Sequence, residues 1–139
     1  MSRACLAVFL LVATLAPPQT ESRATTRELM LDLIHPASND ILLLIYRGGP
    51  KDEAEWAAVR RSALTLAESA TLLRTRGPAQ AEWTKDANLL GDAGTAAYKA
   101  AQAKDARALA AVAEPLDASC TTCHKQFRPN VFPREGGSK

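Results

Sequence analysis

Three cysteines and two histidines are all the thiol and imidazole ligands in these 139 residues. A zinc site takes about four ligands, and beyond Cys120, Cys123 and His124 the chain has only Cys5 and His35. Zinc is therefore a poor fit. Charge of one sign is also lacking: 17 Lys and Arg stand against 15 Asp and Glu. Nucleic-acid binding wants a basic patch, so no nucleic-acid partner is expected. No apolar run reaches the roughly twenty residues of a membrane span. No charge run, internal repeat or low-complexity tract stands out, and strand-like alternation is nearly missing.

The longest apolar run, Ala4 to Ala16, follows Arg3 and ends at Pro17-Pro18. A short positive region, a hydrophobic core of about thirteen residues and a small-residue exit make a secretory signal peptide. Cleavage fits after Ala16 or, in the small-x-small frame Ser22-Arg23-Ala24, after Ala24. Residues 1–24 are accordingly assigned to a signal peptide, and the mature chain to the periplasm with no membrane anchor. Loss of Arg3, Arg23 and Glu21 leaves 15 basic and 14 acidic residues in one domain with a modest core. Both remaining cysteines belong to one motif, so no disulfide framework is implied.

Four helical segments follow. The first opens on the capping box Thr25-Thr26-Arg27-Glu28, and its stripe is Met30, Leu33, Ala37, Ile41 and Leu44, with Pro36 expected to bend it. Gly48-Gly49-Pro50 ends it. The second starts at Asp52, with Glu55 as a second capping box. Its stripe is Trp56, Val59, Ala63, Leu66, Ala70 and Leu73, and it stops at Gly77-Pro78. The third carries Trp83, Ala87, Leu90, Gly94, Ala97 and Ala101, up to a turn at Lys104-Asp105. The fourth carries Leu109, Val112, Leu116, Cys120, Cys123 and Phe127 as far as Pro129, with Pro115 bending it or beginning its second half. One stripe per helix and short loops predict an all-α fold, an antiparallel up-down-up-down four-helix bundle over residues 25–129. Residues 130–139 read as a loose tail.

Cys120-Thr121-Thr122-Cys123-His124 is the attachment pattern of haem c. Helix residues three and four apart share a face. Cys120 and Cys123 can each form a thioether to one vinyl group of a single haem, and His124 can meet the iron as an axial ligand. A redox dithiol would expect a βαβ context. In the expected topology Met30, one turn into the first helix, reaches the level of His124 and becomes the candidate second axial ligand, His35 being the rival. Core filling is the plain alternative for Met30. Leu33, Leu73, Trp83, Ala87 and Phe127 are expected around the macrocycle, with Ala70 leaving room. Trp56 belongs to the opposite end. Arg27 and Arg128 are candidates for pairing with propionates or standing beside His124, Arg128 being favoured because it lies four residues after His124.

The run Cys120 to Arg128, read as C-x-x-C-H-x-x-[aromatic]-R on the last helix of a bundle this long, resembles the class II c-type cytochromes, the c-prime and c-556 group. Arg27-Glu28-Leu29-Met30 resembles the helix that supplies their distal residue. The resemblance covers the mature chain in layout and these two stretches in motif; Pro36, Pro115 and the tail depart from it. It implies His124 as proximal ligand, Cys120 and Cys123 as thioether sites and Arg128 as the proximal-side arginine. Methionine on the iron implies a low-spin electron carrier. An open distal side implies a high-spin protein that binds nitric oxide or carbon monoxide. The group often pairs through its first two helices, which implies a homodimer. The expectation is a one-electron carrier for redox partner proteins, not an enzyme, with gas binding as the alternative.

Overall fold

The computed structural model describes residues 23–131. The signal-peptide reading therefore lies outside the described residues except for Arg23 and Ala24, as does the tail beyond Val131. Among the described residues the chain is all-helical, with no strand. Helix α1 spans Thr26–Tyr46, α2 Glu53–Arg76 and α3 Ala81–Ala103. The last helical segment is in two pieces, α4 Ala106–Ala110 and α5 Ala113–Phe127.

Local chemistry sets the boundaries. Thr25 and Glu28 form the reciprocal capping box, the Thr25 hydroxyl accepting from the Glu28 N–H and the Glu28 carboxylate from the Thr25 N–H. At α2, Asp52 accepts from the Glu55 N–H, but the Glu55 carboxylate takes the Lys51 N–H and Arg47 instead of returning to Asp52. The second box is thus a one-way cap plus an ion pair. Gly48 and Gly49 close α1 at φ +92° and +88°, a region that suits glycine. Pro115 is the third residue of α5, inside the first turn, where an N–H has no intrahelical partner to lose. The break expected near it falls at Ala111 and Val112.

The expected stripes of α2 and α3 are buried at every position. That of α1 is not. Leu33 is 38% exposed and Met30 half-buried, whereas Leu29 and Ile34 are buried with Ala37, Ile41 and Leu44. The reason is a widened π turn over Leu29–Ile34, in which the His35 N–H reaches back five residues to the Met30 carbonyl. Pro36 lacks an N–H and its ring would press on the carbonyl four residues earlier in a regular helix. A wider turn just before it relieves that conflict and puts residues five apart on one face. Leu29 and Ile34 are so related.

Helix α1 is long and apolar enough to cross a membrane by length and composition, a property shared by core helices and signal sequences. Here its inner face joins the core. Glycine and alanine draw α2 and α3 together: a Cβ on Gly94 would stand 2.6 Å from the Ala67 nitrogen and 2.9 Å from the Leu66 Cβ. Trp83, at the start of α3, meets the end of α2 and the end of α5. Arg76, at the end of α2, donates to the Ala24 carbonyl beside the start of α1 (3.0 Å).

The Gly94 approach involves backbone, so the helices must separate to admit a methyl group. Gly94→Ala should gain about 1 kcal/mol of helix propensity yet lose stability by about 1–3 kcal/mol net through overpacking. Equilibrium urea unfolding checks this, and a variant as stable as the parent would refute the close seam.

Candidate functional site

The site is built at the end where α2 finishes, α3 begins and α5 finishes. The Trp83 indole N–H donates to the Leu73 carbonyl (2.8 Å), the same oxygen that accepts from the Gly77 N–H (2.9 Å). A Cβ on Gly77 would stand 2.0 Å from the indole, so only glycine admits the ring. Phe127 meets Trp83 edge to face, centroids 5.0 Å apart at 79°, a preferred aromatic geometry. Leu73, Trp83 and Ala87 are buried, while Phe127 is half-buried.

Cys123 is one helical turn before Phe127. Cys120, Cys123 and His124 are all half-buried, unlike Leu109, Val112 and Leu116 earlier in the same stripe. Met30, Leu72, Cys123 and Phe127 pack against the main core while remaining partly open to solvent. Burial pushes the Cys120 thiol up, and burial together with the charges of Asp86 and Cys120 pushes Cys123 up to about 11. Both thiols are protonated at neutral pH. Among the described residues no group of three or more His, Cys, Asp or Glu is arranged to hold a metal ion.

Burial, with a smaller contribution from the Arg128 guanidinium, pulls His124 below its ordinary value. A neutral imidazole, whose ring nitrogen keeps its lone pair, is the ligating form. Arg128 is exposed, and its backbone N–H closes the helix on the His124 carbonyl (2.8 Å). His35 is exposed, with Asn39 one turn on at 3.4 Å from its ring. Arg27 is exposed, and Leu33 lies outside the buried set. Trp56 is buried among the first residues of α2, away from this end.

Sequence reasoning passed over Asp86. It is buried on the inner side of α3, and its Oδ2 has no hydrogen-bond partner among the described residues. The signal was available: Asp86 is one turn after Trp83 and beside Ala87, so a carboxylate stands at a core-facing position. A groove of about 400 Å³ between α3 and the α4–α5 segment is lined by Leu89, Ala93, Ala96, Val112, Pro115 and Ala118 among others, and by none of Cys120, Cys123 or His124.

The residues present fit one covalently held haem. They offer two protonated thiols three apart, a neutral imidazole next to them, and an apolar rim left part-covered. The lowered His124 value also has a sign in stability. The unfolded chain takes up a proton near 6.5 and the folded chain does so less readily, so stability is full above that pH and declines as pH falls below it. In the polypeptide without haem, His124→Gln should flatten this decline in urea midpoints taken from neutral to mildly acidic pH, and equal slopes would refute a neutral imidazole. Compared with protein-family models, with curated proteins and with solved structures, the chain matches none.

Proposed function

We propose that the chain is a periplasmic one-electron carrier, an up-down-up-down helical bundle that holds a single haem c through Cys120, Cys123 and His124. The observation that carries this reading is the Cys120–His124 motif on a last helix whose thiols are protonated and whose histidine is neutral, next to the Trp83–Phe127 pair. The contacts of Arg76 with Ala24 and of Trp83 with Leu73 and Phe127 support the topology. The apolar run after Arg3 supports export.

Each residue has a task. Cys120 and Cys123 would hold the haem through two thioether bonds. His124 would hold the iron, and the group, when bound, would supply the reversible change between ferric and ferrous iron. Trp83, Leu73 and Phe127 exclude water from one side. Arg128, exposed near His124, is suited to holding a propionate. Met30 in the wide turn of α1 would be the second residue to hold the iron, its thioether favouring the reduced state.

One observation favours the alternative, a high-spin protein that takes nitric oxide or carbon monoxide. The π turn gives the inner position to Leu29 and leaves Met30 only half-buried. Visible absorption with and without carbon monoxide decides between the two. The carrier reading expects a low-spin spectrum with a far-red methionine–iron band that the gas does not move, and Met30→Ala becomes high-spin while His35→Ala stays unchanged. A high-spin parent that binds carbon monoxide removes Met30 from the iron. A parent with no haem surviving acid–acetone extraction sinks both readings.

A further inference from the structure

Asp86 is a buried carboxylate. Its Oδ2 is enclosed and lacks a donor among the described residues; the Lys85 charge offsets it only in part, from an exposed side chain that also pairs with Glu82 (3.7 Å). Burial of a carboxylate without partners costs stability, and burial, with the Glu82 charge, raises its proton affinity. An amide or apolar residue would serve the core better. Its position is specific. Up one turn of α3 from Trp83 to Asp86 corresponds to down one turn of α5 from Phe127 to Cys123. Trp83 meets Phe127, and the Asp86 charge acts on the Cys123 thiol.

We infer that Asp86 is a positioning residue for electron transfer, the buried anion beside the Cys123 thioether that holds the reduction potential of the bound haem down. This rests on the functional reading above. Where the pH leaves Asp86 ionised, its negative charge in the interior stabilises the ferric state, which carries one more positive charge than the ferrous. Surface carboxylates are screened by water and salt, so Asp86 outweighs Glu82 or Asp92 on the same helix. Within this site Met30 favours the reduced state and Asp86 opposes it.

The test is a redox titration of the full holoprotein at mildly alkaline pH. Asp86→Asn should shift the ferric–ferrous equilibrium threefold to tenfold toward ferrous, tenfold being about 59 mV for one electron. Asp86→Glu should keep the parent potential, and Asp92→Asn should leave it nearly unmoved. The urea midpoint of Asp86→Asn should equal or exceed the parent's. An unmoved potential, or an equal shift in Asp92→Asn, overturns the inference, as does a lowered urea midpoint without a potential shift. If Asp86→Asn fails to keep haem, Asp86→Ser is judged by the same criteria, and loss of haem from both makes Asp86 structural and overturns it as well. A parent without covalent haem is the separate failure of the functional reading.

Discussion

The indole of Trp83 ties this molecule together at the end where α2 and α5 finish. Its N–H bonds the Leu73 carbonyl at 2.8 Å, its face needs the missing side chain of Gly77, and its ring meets Phe127 at 5.0 Å. Three helices converge on one side chain. A buried indole N–H without an acceptor would cost on the order of 1–3 kcal/mol, so the ring's place and the end of α2 determine each other. Cys123 and His124 are within one turn of Phe127, and the motif inherits its position from this contact.

Away from that end the fold rests on small residues. Gly94 and Ala67 bring α2 and α3 to a separation that a methyl group would break. Such a seam is rigid because packed interiors do not yield smoothly. The motif end is different: Met30, Leu72, Cys123 and Phe127 are packed on one side and open on the other.

The electrostatics of that end are consistent with one another. The same partial burial raises the cysteines and lowers His124, because desolvation penalises whichever form is charged. Asp86 is the exception, a potential charge enclosed with no donor to its Oδ2 among the described residues.

Much was legible from the residues alone. The regular helices α2 and α3 carry their core on steps of three and four, and a period of 3.6 projects such steps onto one face without any knowledge of neighbours. Thr25, Asp52, Gly48 and Gly77 mark ends by local hydrogen bonding and backbone freedom, which are likewise properties of short segments. The Cys120–Cys123–His124 spacing is chemistry written in the chain. The π turn was not legible: Pro36 announces a disturbance, but whether the helix bends, breaks or widens depends on what Leu29 and Ile34 can bury against α2. That choice moved Leu33 out of the core and Met30 halfway out. The pairing of Trp83 with Phe127, and the enclosure of Asp86 next to Cys123, join residues some forty positions apart, and only the packing of one helix on another could decide them.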